Sequence, residues 1–435
     1  MNEIDILIIG AGAAGLIAAR ELARSGKRVT ILEARNRVGG RIYTQTEGGF
    51  SEYVEAGAEF VHGDLPLTQA LLNEAHISCY PLAGKTYQVK KGELSEAEEF
   101  IPDFPVLLQK LEELPRDLPF AAFLDQYLFE AQYSDLRNAV IRFAEGYDAA
   151  DIKKVSTFAL RDEWKNGGAA NSFHPKEGYG RVIEFLASQC KEFGCTLQLQ
   201  SIVHEIKWEP GLVLVKCSQG QQYRARQVLI TVPLGVLQAE PERAGSIKFV
   251  PDIPEIRKAV SLIGFGAVIK ICLEFKSTFW AEQALPESSL RQTPELAFLF
   301  SDKHLFTAWW TQLPNPTPLL TAWLAGPSAA ELKNETDADL IAKSLAELAD
   351  IYNTSTSFLK EQLQAAKVFN WAADPFAQGA YAYATVDSAT ANQVLVQPVA
   401  GTLYFAGEGI YLGHAMGTVE AALTSGLHVA HELLL

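Results

Sequence analysis

The first forty residues constrain the fold of this chain more than any other stretch. An apolar run over residues 4–9, typical of a strand in a buried parallel sheet, ends in the sequence GAGAAG, from Gly10 to Gly15. A helical pattern follows, and then a second strand over residues 28–32, which is closed by Glu33. This order of strand, glycine turn, helix, strand and acid is typical of a dinucleotide-binding unit. We therefore predict an α/β fold with a Rossmann-like domain.

Each part of this unit has a physical role in binding a dinucleotide. Gly10 makes the tight turn, Gly12 lets a pyrophosphate approach the backbone, and Gly15 lets the helix lie close to the sheet. The N-terminus of the helix offers N–H groups and a partial positive charge to the phosphates. Glu33 can accept hydrogen bonds from the ribose hydroxyls and would repel a 2′-phosphate, so NADP is disfavoured.

The sequence that follows Glu33 indicates which dinucleotide is bound. It reads EARNRVGGRIYT and contains a second glycine pair, Gly39 and Gly40, followed by Arg41. The glycines permit close backbone approach, and the arginine supplies a fixed cation on the pyrophosphate side. This stretch resembles the E-A-R-x-R-x-G-G-R motif of FAD enzymes in the flavin amine oxidase group. We therefore expect the cofactor to be FAD.

The composition limits the partners and the setting of the chain. It has 37 Lys and Arg residues against 52 Asp and Glu residues, a net charge of −15, which argues against nucleic acid as a partner. Five scattered cysteines show neither C-x-x-C nor zinc spacing, so we expect a reducing compartment and no metal site. No apolar window is long enough to span a membrane, and the chain begins within its first strand. We expect a cytoplasmic protein without a membrane partner; the oligomeric state is left open.

The 435 residues exceed what one compact core usually holds, so two domains are expected. Sheet-like and helical patterns alternate along the chain, which indicates that the domains are interleaved. We predict an FAD-binding domain formed by residues 1–64, 174–259 and 376–435. We predict an α+β substrate-binding domain, or cap, formed by residues 65–173 and 260–375. The acid-rich stretch from Glu93 to Glu99 is predicted to be a solvated helix face or loop.

Four further blocks extend the resemblance along the chain. They are residues 228–237 (VLITVPLGVL), 264–280 (GFGAVIKICLEFKSTFW), 371–383 (WAADPFAQGAYAY) and 403–427. Together with the first block, they make the chain similar to the flavin-containing amine oxidases, the group of monoamine oxidases, polyamine oxidases and lysine-specific histone demethylases. The middle of each cap region matches weakly. The resemblance implies the interleaved fold given above.

Three residues carry the predicted chemistry. The pattern around Lys270 alone favours an edge-strand or snorkelling lysine, but the resemblance implies a lysine that holds a water against flavin N5. The resemblance also places Tyr381 on the substrate side of the flavin as one wall of an aromatic cage, whose face attracts an amine. The second wall falls at Thr418, where monoamine oxidases have tyrosine. We therefore expect a cage that is at most half built.

The resemblance also assigns contacts to the cofactor. Trp371 matches a tryptophan beside the flavin, Glu408 an acid near the ribityl–pyrophosphate region, and Val203 a residue that clamps the adenine. The helix that begins near residue 417 would direct N–H groups at flavin N1 and O2. Ala380 stands where monoamine oxidases attach the flavin through cysteine, so FAD is expected to be non-covalent. The predicted cofactor-binding residues are Gly10, Gly12, Ala14, Gly15, Glu33, Ala34, Arg35, Gly39, Gly40, Arg41, Gly57, Ala58, Glu59, Phe60, Val203, Trp371, Gly407, Glu408, Thr418 and Val419.

His62, in the sequence FVHG, resembles a pocket-roof histidine of some plant polyamine oxidases, although an ordinary turn histidine is the favoured interpretation. The resemblance implies oxidation of an amine C–N bond by hydride transfer to flavin N5, with a small amine as substrate and O2 as acceptor. The products would be an imine, hydrolysed to an aldehyde, and H2O2. No protein general base is nominated, and the sequence leaves open which amine is oxidised.

Three alternatives remain open at this point. An L-amino-acid oxidase would need an arginine facing the substrate carboxylate, and Arg142, Arg161 and Arg291 lie in the cap regions. A desaturase or protoporphyrinogen-type oxidase shares the fingerprint but usually lacks the lysine of the VIK block. A non-catalytic FAD-binding interaction protein is disfavoured because Lys270, Tyr381 and Trp371 are all present.

Overall fold

The first apolar run forms a strand near the middle of the largest sheet, as predicted. This is observed in a computed structural model, which describes residues 4–63, 65–97, 101, 103–165, 172–281 and 290–435. The strand Ile4–Ile9 pairs in parallel with the strand Val29–Leu32 on one side and Gln222–Ile230 on the other. Its last four side chains are buried, because helices cover both faces of this part of the sheet.

The elements are numbered in chain order. The strands are β1 (Ile4–Ile9), β2 (Val29–Leu32), β3 (Thr44–Gln45), β4 (Val54–Glu55), β5 (Val61–His62), β6 (Cys79–Pro81), β7 (Lys85–Lys90), β8 (Glu93–Glu96), β9 (Ser172–Pro175), β10 (Thr196–Gln198), β11 (Val203–Glu209), β12 (Leu212–Cys217), β13 (Gln222–Ile230), β14 (Lys248–Val250), β15 (Gly264–Phe265), β16 (Val268–Phe275), β17 (Leu296–Ser301), β18 (Ala308–Trp310), β19 (Leu319–Ala325), β20 (Leu363–Asn370), β21 (Ala382–Tyr383) and β22 (Leu403–Phe405).

The helices are α1 (Ala13–Arg24), α2 (Pro66–Glu74), α3 (Phe104–Glu112), α4 (Phe120–Tyr127), α5 (Ser134–Gly146), α6 (Thr157–Lys165), α7 (Gly180–Glu192), α8 (Leu234–Leu237), α9 (Pro254–Ser261), α10 (Gly326–Glu331), α11 (Asp337–Ile351), α12 (Thr356–Gln362), α13 (Ser388–Leu395) and α14 (Val419–Leu434), with a 3-10 turn at Ala131–Tyr133. Within the described ranges, no helix is both long and apolar enough to cross a membrane.

Two large sheets divide the chain between them. The eight-stranded sheet has the order β10-β2-β1-β13-β12-β11-β14, with β22 also paired to β13. The seven-stranded sheet has the order β20-β16-β19-β18-β17-β7-β8. Strands of the first sheet come from the three segments predicted to bind FAD, and strands of the second come from the two predicted cap segments. This distribution agrees with an interleaved α/β fold, while the exact domain limits stay a prediction.

The first and last long helices lie against each other on the large sheet. A Cβ added at Gly426 of α14 would lie 2.3 Å from the carbonyl oxygen of Ala14 in α1. Glu420, at the start of α14, is buried and accepts hydrogen bonds from the backbone N–H groups of Leu67 and Thr68 in α2. The close approach therefore brings the first and last helices of the chain together on one face of the sheet.

One expectation about local structure is wrong. The acid-rich stretch that begins at Glu93 was expected to be a helix face or loop, but Glu93–Glu96 forms the edge strand β8, antiparallel to β7. An edge strand tolerates acidic side chains because one side faces solvent, and Glu96 pairs there with Lys85 at 2.9 Å. Residues 98 and 99 of the stretch lie outside the described residues.

Candidate active site

A cavity of about 2080 Å³ lies between the two large sheets. It exceeds the usual range of about 300–1,000 Å³ for ligand sites, so it has room for a dinucleotide and a substrate together. Its wall includes Gly12 and Glu33 at one part and Lys270 and Tyr381 at another. Every residue predicted for the site lines this cavity except Gly15.

The glycine turn has the geometry that a phosphate group needs. Gly10 has a positive φ of 108°, which favours glycine. A Cβ on Gly15 would lie 2.0 Å from the carbonyl oxygen of Gly10, so this residue lets α1 lie against the turn, as predicted. A Cβ on Gly12 would meet only the Gly39 oxygen, 4.0 Å away, and would otherwise project into the cavity. The turn therefore fits a pyrophosphate at the N-terminus of α1.

Glu33 is held at the end of β2 with its carboxylate fixed. It is buried, and its Oε2 accepts a hydrogen bond from the Ala11 N–H at 2.8 Å, while its Oε1 accepts one from the Arg35 N–H at 2.9 Å. These two bonds orient the acid beside the turn, and it lines the cavity together with Val203. The arrangement fits an acid that binds the hydroxyls of an adenosine ribose.

Two arginines tie this first segment to the last quarter of the chain. Arg41 donates from Nη1 to Glu408 Oε1 at 2.7 Å and to the Ala380 carbonyl oxygen at 2.5 Å. Arg35 forms a bidentate pair with Asp374, with distances of 2.8 and 2.7 Å. The segments that carry Glu408 and Asp374 are therefore fixed against the fingerprint, and the cavity wall closes there.

Lys270 is the most deeply buried charge of the site. It lies in the middle of β16 with 1% of its surface exposed, and its Nζ is 2.6 Å from Glu59 Oε2. The other oxygen of Glu59, Oε1, accepts hydrogen bonds from Trp310 Nε1 and Gln312 Nε2, each at 3.0 Å. Burial raises the pKa of Glu59, but the Lys270 charge and these neighbours outweigh it and hold the pKa below its usual value. The sequence interpretation missed this ion pair.

Tyr381 and Trp371 lie near each other on the wall. The Tyr381 hydroxyl donates to the carbonyl oxygen of Tyr147 at 2.5 Å, and burial raises its pKa well above the usual value. Trp371 Nε1 donates to the carbonyl oxygen of Ala56 at 2.8 Å. A Cβ on Gly57 would lie 1.8 Å from the carbonyl oxygen of Arg41, so the backbone is tightly packed beneath the tryptophan. Both rings therefore have fixed orientations.

Thr418 is the N-cap of α14 as well as part of the cavity wall. Its Oγ1 accepts a hydrogen bond from the Ala421 N–H at 3.2 Å and donates to the Ala415 carbonyl oxygen at 2.7 Å. Its own N–H donates to the same carbonyl at 3.2 Å. The hydroxyl is thus used to begin the helix, which directs the first turn of α14, from Val419 onward, at the cavity.

His62 lines the cavity. The sequence alone did not decide whether it lies in the pocket or in an ordinary turn. Its Nδ1 lies 2.6 Å from Ser172 Oγ on the neighbouring strand β9, and its ring stands at an angle to the Tyr147 ring, 5.8 Å away. Burial lowers the pKa of His62 to about 4, so the imidazole is neutral near neutral pH. It can take part in hydrogen bonding without adding charge to the site.

A pair of buried carboxyl groups on the cap was not predicted. Asp148, just after α5, is 8% exposed, and Glu163 of α6 is hydrogen-bonded to it. Both line the cavity, and Asp148 Oδ2 has no hydrogen-bond partner among the described residues. Burial raises the pKa of both groups, and the Glu163 charge raises that of Asp148 further. The pair lies close to Tyr381, whose pKa it also raises.

The three cap arginines are placed differently. Arg142 of α5 lines the cavity, near the charges of Asp302 and Asp135. Arg161 lies over the Phe158 ring and pairs with Asp162, and Arg291 donates to backbone carbonyls. Neither Arg161 nor Arg291 is part of the cavity wall. Among these three, only Arg142 is placed to meet a ligand.

The fold, the glycine turn and the fixed carboxylate of Glu33 fit a protein that binds a dinucleotide. The chain belongs to the family of flavin-containing amine oxidoreductases, whose model matches residues 13–434. It is thus a flavoprotein of the amine oxidoreductase class, with FAD as its cofactor.

Individual relatives are distant in sequence. The chain is 28% identical to lysine-specific histone demethylase 2 of Homo sapiens over 458 residues, which cover 99% of this chain and 53% of the relative. It is 27% identical to polyamine oxidase 4 of Oryza sativa subsp. japonica over 463 residues, covering 98% and 88%. The chain spans 53% of the length of this human demethylase and 30% of that of lysine-specific histone demethylase 1 homolog 3 of Arabidopsis thaliana. The structure of cyclohexylamine oxidase from Brevibacterium oxydans IH-35A has a TM-score of 0.78 and 20% identity over 100% of both chains, which shows the shared fold.

Two glycine substitutions should separate cofactor binding from folding. Gly12→Ala adds a methyl group that projects into the cavity, so we expect apoprotein stability to change by less than about 1 kcal/mol. FAD affinity should fall at least about tenfold, the equivalent of roughly 1.4 kcal/mol. Gly15→Ala drives a methyl group into the Gly10 carbonyl, and should cost about 2–3 kcal/mol of stability or more even without FAD. Urea unfolding of both apoproteins and FAD titration by fluorescence measure the two effects. Equal destabilisation by both changes would contradict the assignment.

Proposed function

We propose that this chain oxidises the C–N bond of an amine, with hydride transfer to flavin N5, O2 as electron acceptor, and an imine, then an aldehyde, and H2O2 as products. The observation that carries the proposal is the buried Lys270 and the fixed Tyr381 ring in the same cavity as the dinucleotide turn. In the proposed site, Lys270 holds a water or O2 beside N5, Tyr381 orients the amine, and Thr418 begins the helix that faces the flavin.

Bound FAD would supply the hydride acceptor. The protein's own contribution is to hold a neutral amine in a desolvated place. Burial lowers the pKa of an amine and so raises the fraction in the reactive neutral form. The face of the Tyr381 ring attracts the protonated amine before it loses its proton. The Tyr147 carbonyl fixes that ring through the hydroxyl. The first turn of α14 favours negative charge on the reduced cofactor by about 0.3–1 kcal/mol. Neutral His62 serves as a hydrogen-bonding group, and no protein base is required.

The substrate class is proposed to be a diamine or polyamine. Asp148 lines the cavity and has a buried carboxylate oxygen without a hydrogen-bond partner among the described residues, and Glu163 lies beside it. A buried pair of acids is costly unless a cation or a proton compensates it. A second ammonium group of the substrate would supply that compensation close to Tyr381. The name of the rice relative, polyamine oxidase 4, is in line with this class.

An L-amino-acid oxidase is the second candidate, because Arg142 lines the cavity and could meet a substrate carboxylate. Asp148 and Glu163 lie on the same cap and would oppose a carboxylate there, which favours the amine.

We also propose that the protein is cytoplasmic. This location is supported by the five cysteines, all of which are free thiols.

The reaction is tested by anaerobic reduction of the bound flavin. We expect at least one of propylamine, putrescine, spermidine or tyramine to bleach the visible absorbance of the oxidised flavin, and aerobic turnover to release H2O2 in proportion to aldehyde. Lys270→Met should slow reoxidation by O2 more than reduction. Bleaching by L-amino acids alone would favour the second candidate, and failure of all compounds would contradict the proposal.

The carboxyl pair is tested by comparing diamines with monoamines of equal carbon number. Asp148→Asn should lower kcat/KM for the best diamine about 10–100-fold, which corresponds to the loss of a charge-assisted hydrogen bond. It should change kcat/KM for the monoamine only slightly. Glu145→Gln is the matched control, because Glu145 is a half-buried acid of α5 that does not line the cavity. Equal losses for both amines, or an equal loss in the control, would argue against the pair.

FAD is proposed to be held without a covalent bond. The described cavity wall contains none of the five cysteines, and Ala380 lies next to Tyr381. Acid precipitation should therefore release the whole flavin into the supernatant, as measured by absorbance. Flavin that remains with the precipitated polypeptide would contradict this.

A further inference from the structure

Glu59 was predicted as a cofactor contact, but its carboxylate is hydrogen-bonded to other side chains of the protein. Its Oε2 lies 2.6 Å from Lys270 Nζ, and its Oε1 accepts from Trp310 and Gln312. The side chains of Glu59 and Lys270 are 3% and 1% exposed. The carboxylate therefore has three protein donors and lies directly against the ammonium that the proposed reaction uses.

We infer that Glu59 is a positioning residue, which keeps the Lys270 ammonium charged and fixed at the cavity wall so that it serves the oxidative half of the reaction. This inference rests on the proposed function. In that half-reaction O2 takes two electrons from the reduced flavin and, with the proton of the flavin and one from solvent, leaves as H2O2. The ammonium beside the site favours the negative charge that develops on oxygen.

The physical argument comes from the cost of a buried lysine. An ammonium withdrawn from water is strongly destabilised, and an unpaired buried lysine has its pKa lowered by up to roughly 3–5 units, into the neutral range. The only other oxygen bonded to Lys270 Nζ among the described contacts is the Gly57 carbonyl, at 3.4 Å. The Trp310 ring, 5.3 Å from Nζ, adds a weaker attraction. The charge of Lys270 thus depends on Glu59.

The pair also sets the net charge beside the flavin. With both groups ionised, their sum is zero, whereas Lys270 alone would contribute one positive charge. A positive charge stabilises the anionic reduced cofactor and raises its midpoint potential. Removing the Glu59 charge must therefore raise the potential where Lys270 is still protonated, and leave it near the wild-type value where Lys270 has become neutral.

Other titratable groups face the pair and must be separated from it. They are Tyr53, Glu55, His62, Tyr80, His174 and Cys272. Burial lowers the pKa of both histidines and raises that of the tyrosines and of Cys272, and each of these shifts favours the neutral form of the group. Burial raises the pKa of Glu55 to about 7, so Glu55 titrates near neutral pH.

The test uses the FAD-bound protein, reduced by dithionite or light so that no amine is needed. Reoxidation by O2 and the midpoint potential are measured at about pH 6 and pH 9, on either side of neutrality. In Glu59→Gln, we expect the O2 rate constant to fall at least about tenfold more between these pH values than in the wild type, because Lys270 loses its proton there. The potential should exceed the wild-type value at the lower pH and approach it at the higher.

Matched variants identify the cause. Glu55→Gln removes the neighbouring carboxyl, which does not line the cavity. In this variant Lys270 should keep its proton at both pH values, as in the wild type. Lys270→Met should be slow with O2 at both pH values, and adding Glu59→Gln to it should slow the reaction little further. A wild-type rate profile and potential in Glu59→Gln would overturn the inference.

The same variants remain informative if Glu59→Gln does not retain FAD. Retention of FAD by Glu59→Gln/Lys270→Met would then identify the uncompensated ammonium as the cause and support the inference. Loss of FAD from both would show that Glu59 acts through packing, which would overturn it. Because no amine is used, these results are independent of whether an amine reduces the flavin, which decides the proposed function.

Discussion

The buried ion pair between Glu59 and Lys270 is the interaction on which this cavity depends. Glu59 follows β4 in the segment predicted to bind FAD, whereas Lys270 lies in β16 of the seven-stranded sheet. The pair therefore joins the loop between β4 and β5 to the seven-stranded sheet at the cavity wall. A buried pair adds little net stability compared with apolar residues, but removing one partner costs about 3–5 kcal/mol. Such a contact is explained better by the charge that it preserves than by the stability that it adds.

Two further ion pairs join distant parts of the chain at the same cavity. Arg41 and Glu408 are 367 residues apart, and Arg35 and Asp374 are 339 apart. Both use guanidinium groups, which meet carboxylates in fixed planar geometry. Each pair fastens a late segment to the residues just after β2. The cavity is consequently a product of the interleaved topology, because neither the first nor the last segment encloses it alone.

Features that depend on local spacing were predictable from the sequence. The turn from Gly10 to Gly15 and the acid Glu33 have the expected geometry. The partner of Lys270 was not predictable, because 211 residues separate it from Glu59. A lysine with apolar neighbours on both sides in a strand did carry a signal, since such a residue is almost never buried unpaired. Asp148 and Glu163 carried none, because nothing in the helical pattern of the cap distinguishes them from surface acids.

The charges of the cavity differ between its two parts, and the difference bears on how a cationic substrate is oriented. Near Lys270 the charges cancel, so that part neither attracts nor repels an ammonium group strongly. Near Tyr381 the carboxyl groups of Asp148 and Glu163 can release a proton and become negative when a cation approaches. A substrate with two amino groups would therefore leave its charged end at the acids and bring its other end to the neutral part. Only a neutral amine can give up a hydride. Because the two parts of the cavity differ in charge, one amino group of such a substrate can bind in its protonated form while the other reacts in its neutral form.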